Sequence, residues 1–354
     1  MDPRLQALVD SQNSAFSAAQ AKALGVGDHE LRRAVAGGEL VRVRREAYVA
    51  GAVWAEARAE ERFLLTATAV ARTRPGDGLS HHAALALHGL PLWDCAMDRI
   101  DLVGAVHQVT HRRGLALHPA SGLVTQEVRG VPVVSVARAI VRSAVSMGRD
   151  CAVVAGDAAL HRGLVTVEEL LVEVARLTPH EGRGRAHAAV LRMDGRAESV
   201  GESRTRLVCE DLGLAHESQV VIRDESGRFV ARVDLLVEGV VVEFDGKVKY
   251  GRSRDAQDGA VNAAQVLWNE KRREDAIRRQ GHPVERKDPR VPSGLTHVTS
   301  ATTPPCWPSP GVSSSAAKAV ASIASNCWWY TSPTTVEPSV SRSWTSVAPA
   351  GRSP

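Results

Sequence analysis

The spacing of hydrophobic and polar residues predicts a small domain at the start of the chain. Residues 17–25 and 28–37 each have a helical pattern that ends at glycine, and Ser17 is a suitable cap for the first helix. Residues 40–49 alternate between apolar and polar side chains as a strand or β-wing does. Two helices joined by a turn and followed by a wing are the elements of a winged helix. We therefore predict a winged-helix DNA-binding domain over residues 1–50.

The middle of the chain, residues 55–190, mixes both periods and predicts a domain of helices and strands. The predicted helices cover residues 60–72, 79–93, 136–147, 150–161 and 165–177, and the predicted strands cover residues 100–103, 115–118 and 131–134. No catalytic role is predicted here. We expect this region to separate the N-terminal DNA-binding domain from a further domain towards the C-terminus.

Three histidines lie close together in the helix predicted over residues 79–93. His81 and His88 are seven residues apart and share a face, which is one arrangement of metal ligands on a helix. No carboxylate partner is evident, and polar residues at helix ends more often pack against a neighbouring element. We therefore predict packing rather than metal binding for His81, His82 and His88.

Two short apolar runs within residues 233–250 predict a hairpin whose turn is Glu238–Gly239. Asp234 lies in the first strand and Glu243 ends the second, and Asp245, two residues on, points to the same side as Glu243. Neighbouring carboxylates repel unless a cation lies between them, and oxygen ligands suit magnesium or manganese. The alternative from spacing alone is a solvated hairpin end on a surface sheet.

Charged helices are predicted on both sides of this hairpin. The upstream helix, residues 197–214, carries Glu198 and Glu202 four residues apart on one face and has an apolar face that includes Leu212. The downstream helix covers residues 267–281 and is basic. The order is therefore an acidic helix, a strand with aspartate, a strand with glutamate and a basic helix.

This order resembles that of the PD-(D/E)XK nuclease superfamily, and more closely the small endonuclease-like domains related to very-short-patch mismatch repair endonucleases. The similarity rests on Glu202, Gln219, Asp234 and the segment Glu243-Phe-Asp-Gly-Lys-Val-Lys-Tyr. It implies metal-dependent phosphodiester hydrolysis, with Asp234 and Glu243 as metal ligands and Glu202 completing the acidic cluster. It also implies a restriction-endonuclease-like mixed sheet flanked by helices over residues 191–288.

The chain differs from the nuclease pattern at one catalytic position, where Asp245 stands in place of lysine. Asp245 is a further candidate metal ligand, and another cation must then stabilise charge on the phosphate. Lys247 lies on the required side of an extended strand, and Lys249 and Lys271 are the alternatives. We predict Lys247 as the catalytic lysine.

Arginines are concentrated on the second helix and the wing of the first domain, and we predict that they contact DNA phosphates: Arg32, Arg33, Arg42, Arg44 and Arg45. The alternative is a solvated basic face on a small helical cap.

Two segments resemble AbiEi-type antitoxins. Gly38-Glu-Leu-Val-Arg-Val-Arg-Arg-Glu-Ala-Tyr-Val resembles the end of their N-terminal winged helix, with Glu46 where that pattern has glycine. Ser80-His-His-Ala-Ala-Leu-Ala-Leu-His-Gly-Leu resembles the linker domain of AbiEi-like proteins. The resemblance implies promoter DNA binding, autoregulation and, for an antitoxin of a type IV toxin–antitoxin system, a cognate toxin as partner.

The composition is compatible with these functions. The net charge of +4 and the pI near 8.9 permit nucleic-acid binding without requiring it. No apolar run is long enough to span a membrane and the first residues lack a signal-peptide pattern, so we expect a cytoplasmic protein without membrane contact. Scattered cysteines predict neither a zinc site nor a disulfide framework: Cys95, Cys151, Cys209, Cys306 and Cys327.

Residues 289–354 differ abruptly from the rest of the chain. They hold ten of the 17 prolines and four of the seven tryptophans, but Glu337 is their one acidic residue. Such a segment cannot bury a core, and we predict disorder. A reading-frame shift in the gene and a genuine Ser/Thr/Pro-rich tail are both consistent with this composition.

The predicted fold class is α/β (α+β), and two functional hypotheses follow. We favour a metal-dependent DNA endonuclease-like protein with an antitoxin-type head, because Glu202, Asp234 and Glu243 are all present. The alternative is a non-enzymatic DNA-binding regulator or antitoxin with a vestigial nuclease fold. Asp245 at the lysine position and the unusual tail favour this alternative.

Overall fold

The structure is a computed structural model that describes residues 1–120, 125–244 and 271–287. The predictions for Asp245, Lys247 and Lys249, and for the tail, lie outside the described residues. Within the described residues, no helix is both long and apolar enough to cross a membrane.

The head, residues 1–50, is a small unit of helices around a three-stranded sheet. Its elements are α1 (Pro3–Ser11), β1 (Ala15–Ser17), α2 (Ala18–Ala23), α3 (Asp28–Ala36), β2 (Leu40–Arg44) and β3 (Ala47–Ala50). The strands are antiparallel in the order β1-β3-β2, and Leu5, Phe16, Leu31 and Leu40 form the buried core. The two predicted helices are confirmed, and the segment predicted as a strand or wing forms the hairpin β2–β3. Helix α1 and strand β1 were not predicted.

The central module, residues 51–190, packs helices against a six-stranded mixed sheet. Its elements are α4 (Gly51–Glu56), α5 (Ala59–Arg72), β4 (Gly78–Leu79), α6 (His81–Leu87), β5 (Ile100–Gly104), β6 (Thr110–Arg112), β7 (Leu115–Pro119), β8 (Gln126–Val128), β9 (Val131–Val133), α7 (Val136–Ser146), α8 (Arg149–His161), α9 (Val167–Ala175) and α10 (Arg183–Val190). The strand order is β6-β7-β5-β4-β9-β8. The predicted helices and strands are confirmed to within a few residues, except that the helix predicted over residues 79–93 covers only His81–Leu87. The elements α4, β4, β6, β8 and α10 were not predicted.

Cys95 and Cys151 form a disulfide in the central module, with 2.14 Å between the sulfur atoms. This corrects the expectation that the cysteines have no pairing. The two residues are 56 positions apart, one in the loop after α6 and the other in α8, so no local spacing indicates their contact.

The C-terminal unit, residues 191–287, carries a four-stranded sheet in the order β10-β11-β12-β13. Its elements are α11 (Val200–Asp211), β10 (His216–Arg223), β11 (Phe229–Val237), β12 (Val240–Phe244), α12 (271–279) and β13 (Val284–Lys287). The last two strands are parallel and the others antiparallel. The predicted hairpin is confirmed, because Glu238 and Gly239 both have positive φ, as a tight two-residue turn requires.

Two details of the upstream helix differ from the prediction. Leu212 follows the last residue of α11 and is 58% exposed, so it does not belong to the apolar face. Glu198 precedes the helix, and its backbone N–H donates to Glu202 Oε2 at 3.0 Å instead of sharing a helical face with it. The helix begins later than predicted because Ser199 caps it by accepting the Glu202 N–H.

The three units are joined by specific buried contacts. Arg206 on α11 donates to Asp157 Oδ2 on α8 at 2.8 Å, and both side chains are almost fully buried. Leu207 belongs to the core of the central module. On the other side, Arg72 on α5 donates to two carbonyl oxygens of the head, including that of Ala15. These contacts fix the head and the C-terminal unit to the central module.

Candidate nucleic-acid interface and carboxylate site

The C-terminal carboxylate site, defined by Glu202, Asp234 and Glu243, lies where α11 meets the sheet. The helix approaches closely because residue 201 is glycine: a Cβ there would lie 2.7 Å from the Phe244 ring. Glu202, one residue later, is thereby placed beside β10 and β11. Glu202 and Glu243 are both buried, and Asp234 is half-buried.

Gln219 links β10 to Glu202. Its backbone has φ +57°, which is unusual for a residue other than glycine, and its neighbours Ser218 and Val220 keep their ladder pairing. The amide Nε2 donates to Glu202 Oε2 at 2.8 Å. The structure therefore brings together Glu202 and Gln219 from the predicted group.

Asp234 and Glu243 each have a different partner. The Phe244 backbone N–H donates to Asp234 Oδ2 at 2.9 Å, and Arg273 on α12 places Nη2 2.8 Å from Glu243 Oε1. Burial raises the pKa of Asp234 and also that of Glu202, and the Asp234 charge raises the pKa of Glu202 further. Both carboxyl groups therefore ionise less readily than a free carboxyl group.

Arg273 is the residue of this site that the sequence analysis missed. The predicted alternative, Lys271, is exposed on the same helix. Arg273 is four residues before Ile277, which is fully buried, so the two share the face that packs on the sheet. That spacing is the signal that could have identified it.

In the head, α2 and α3 form a helix-turn-helix. Ser17 and Gln20 cap α2 reciprocally: Gln20 N donates to Ser17 Oγ at 3.3 Å, and Ser17 N donates to Gln20 Oε1 at 2.9 Å. Four residues separate the helices, and among them Gly25 has φ +77°. The turn thus sets the angle between the two helices.

The second helix, α3, divides cleanly into a buried and an exposed face. Leu31 and Ala34 are buried against the head, while Arg32 and Arg33 are exposed. Arg32 donates from Nε to the Asp28 carbonyl at 3.2 Å, which holds its side chain along the helix. Both guanidinium groups lie on the outer surface.

The first 51 residues have a known counterpart. Residues 3–51 match the family model described as transcriptional regulator, AbiEi antitoxin. The matched segment starts at the first residue of α1 and ends one residue after β3, so it coincides with the whole structural head. No curated protein matches the chain.

Within this AbiEi-like head, the wing hairpin β2–β3 carries the other predicted arginines. Arg42 and Arg45 are exposed, and Glu46 in the turn has φ +61°, which accounts for glycine in the pattern at that position. Arg44 is different, because its Nη1 donates to the Gly114 carbonyl at 2.9 Å and its Nη2 to that of Arg113. Arg44 thus fastens the wing to the central module.

Proposed function

We propose that the protein is a DNA-binding transcriptional regulator of the antitoxin type. The observation that carries the proposal is the exposed α3 of a helix-turn-helix, within the residues that match the AbiEi antitoxin regulators. In such a unit the second helix enters the major groove and its exposed side chains contact the bases and backbone.

Four exposed arginines form the proposed DNA contact surface: Arg32, Arg33, Arg42 and Arg45. We assign those on α3 to the groove and those on the wing to phosphates at its edge. Arg44 serves this surface indirectly, since it holds the wing against residues 113–114 of the central module. We propose this positioning role for Arg44 in addition to the phosphate contact that the sequence predicts.

As an antitoxin-type regulator, the protein would bind its own promoter and have a cognate toxin as partner. Support for both comes from the match of the head alone. The central module is joined to the head through Arg72, and the C-terminal unit is joined to the central module through Arg206.

DNase I footprinting of the full chain on the DNA upstream of its own gene tests this function. We expect a protected site whose protection is lost in Arg33→Ala and weakened in Arg42→Ala. The control is Arg223→Ala with Arg228→Ala, two exposed arginines of the C-terminal unit, which should leave protection unchanged. Equal protection by Arg33→Ala and wild type would contradict the assignment of α3.

A second candidate function, metal-dependent DNA cleavage, is favoured by the neighbouring carboxylates of Glu202, which is buried, and Asp234, which is half-buried. Carboxylate oxygens suit magnesium or manganese. Asp234 and Glu243 would hold the ion, with Asp245 as a further ligand. A bound ion would activate water and stabilise charge on the phosphate. We keep Lys247 as the proposed catalytic lysine.

Arg273 favours the regulator over the nuclease. Its guanidinium already supplies positive charge to Glu243, a role that the ion would otherwise have. Incubation of plasmid DNA with the full chain in magnesium, manganese or EDTA decides between the two. Cleavage that is lost in Asp234→Ala and Glu243→Ala, and kept in the exposed control Glu225→Ala, would establish the nuclease. Uncut plasmid in all three conditions would contradict the nuclease and leave the transcriptional regulator as the supported function.

A further inference from the structure

A second cluster of titratable residues lies in the central module, beside a cavity. His81, Asp101 and His118 each offer one ligand atom, and these atoms all lie within 4.8 Å of one another. His81 and Asp101 are buried, and His118 is partly exposed. The sequence analysis weighed His81 as a metal ligand and rejected it for want of a carboxylate; Asp101 is that carboxylate.

The sheet brings these residues together. Asp101 on β5 pairs with Ala116 on the parallel strand β7, and His118 is two residues further along β7 on the same face. The Ser80 backbone N–H donates to the Asp101 carbonyl oxygen at 2.9 Å, which places His81 at the same end. Three separate elements therefore converge by backbone pairing.

The Asp101 carboxylate is held by groups on both of its oxygens. Oδ1 lies 2.7 Å from His118 Nε2, while Oδ2 accepts from Arg99 Nε at 3.1 Å and lies 3.6 Å from His82 Nδ1. Outer groups that fix a ligating carboxylate in this way are a regular feature of metal sites. Arg99 thus orients Oδ1 towards the two imidazoles.

His81 is held in a strained backbone conformation. Its φ is +52°, in the left-handed region that residues other than glycine seldom adopt, directly after Ser80 in extended conformation. Such strain costs on the order of 1–3 kcal/mol and is concentrated at functional sites. It places the His81 ring against the His118 ring, with 4.4 Å between the ring centroids.

We propose that His81, Asp101 and His118 form a transition-metal site, for Zn²⁺ in preference to magnesium or calcium, with one coordination position open to the cavity. Two imidazole nitrogens and one carboxylate oxygen are a ligand set of catalytic zinc sites, whereas the harder ions prefer oxygen alone. In a tetrahedral zinc site ligand atoms are about 3.3 Å apart, so small side-chain rotations suffice. This site is independent of the proposed DNA binding.

The cavity gives the open position room for a ligand. It measures about 760 Å³, and both His81 and His118 line it. Arg138 and Arg142 also line it, and their charges are offset by Glu173 at 3.7 Å and by Glu181 at 2.9 Å. A water molecule or a small anionic group fits the open position.

Titration of the chelator-treated full chain with Zn²⁺ by calorimetry, and with Co²⁺ by visible absorption, tests the site. We expect one equivalent of Zn²⁺ and the absorption of tetrahedral Co²⁺. His118→Gln and His81→Gln should each weaken zinc binding about 100-fold, and Arg99→Gln about 10-fold. His111→Gln, an exposed histidine on β6, is the matched control and should bind like wild type.

The partly exposed His118 is the deciding position, because Asp101→Asn risks loss of the fold. Circular dichroism of each variant shows that it is folded before its affinity is compared. Zinc affinity unchanged in folded His118→Gln and His81→Gln, or failure of wild type to bind one equivalent, would overturn the site. The three residues would then form a structural hydrogen-bond network only.

Discussion

Asp101 and Asp234 occupy similar positions in their strands, but their neighbouring groups affect the carboxyl pKa differently. Each is an aspartate within an apolar strand, β5 for one and β11 for the other. Burial raises the pKa of Asp101, but the His118 hydrogen bond and the nearby charges of His81 and Arg99 outweigh it and lower that pKa to about 2. Burial raises the pKa of Asp234, and its partners do not offset this.

The comparison shows that the donors around a carboxylate, and not its burial alone, decide whether its charge is stabilised. Two of the groups around Asp101 are the imidazoles of His81 and His118, whose nitrogen atoms also suit zinc. The carboxylate of Glu202 lies near Asp234, and in the proposed nuclease such oxygen ligands would suit magnesium or manganese. The same residue type thus predicts two different ion preferences within one chain.

The largest effect is expected where a buried ion pair loses its cation. Asp157 accepts from Arg206 and also from the Asp194 backbone N–H at 2.7 Å. Arg206→Met leaves this buried charge without its ion pair and should lower the free energy of unfolding by about 4 kcal/mol in urea titration. Arg196→Met, which removes an exposed pair with Asp194, should cost less than about 1 kcal/mol. Similar losses of unfolding free energy in the two variants would mean that the contact between the C-terminal unit and the central module does not depend on the Asp157 ion pair.

A smaller loss is expected for Asp101→Asn in metal-free protein at neutral pH. The substitution removes the charge that pairs with Arg99 and accepts from His118, and should cost about 3 kcal/mol of unfolding free energy. Urea titration monitored by circular dichroism measures it. The exposed neighbour Asp98→Asn is the control and should stay within about 0.5 kcal/mol of wild type. If Asp101→Asn leaves the free energy of unfolding unchanged, the charge of Asp101 is not stabilised more than that of Asp234.

The same substitution at Asp234 should have the opposite sign and the smallest size. A folded-state pKa above the unfolded value means that the ionised carboxylate is less favourable in the folded protein, so neutralising it stabilises. Asp234→Asn keeps an oxygen to accept the Phe244 N–H and should gain about 0.5 kcal/mol at neutral pH without metal. The urea midpoint measures the gain. A clear loss would show that Arg273 already compensates Asp234.

Local features of the fold could be predicted because they depend on a few neighbouring residues. The Ser17 cap, the Gly25 turn and the Glu238–Gly239 hairpin turn all follow from backbone chemistry. Even α1 carried a local signal, since Asp2 caps it and Pro3 begins it. These two residues are sufficient to predict the start of α1.

Contacts between distant elements could not be predicted in the same way. Nothing near Cys95 indicates Cys151, and Arg44 gives no sign that it reaches Gly114. Asp101 is instructive, because aspartate inside an apolar strand is the pattern that identified Asp234. Its partner His118 becomes apparent only once β5 and β7 are paired.

The most direct test of the central claim is the salt dependence of DNA binding by the full chain, measured by fluorescence anisotropy on duplex DNA. If Arg32, Arg33, Arg42 and Arg45 each neutralise one phosphate, log K should fall with log salt concentration at a slope of about −3.6. The variant Arg33→Ala/Arg42→Ala/Arg45→Ala should reduce the slope to about −0.9. A slope and affinity equal to those of wild type would contradict DNA binding by the head.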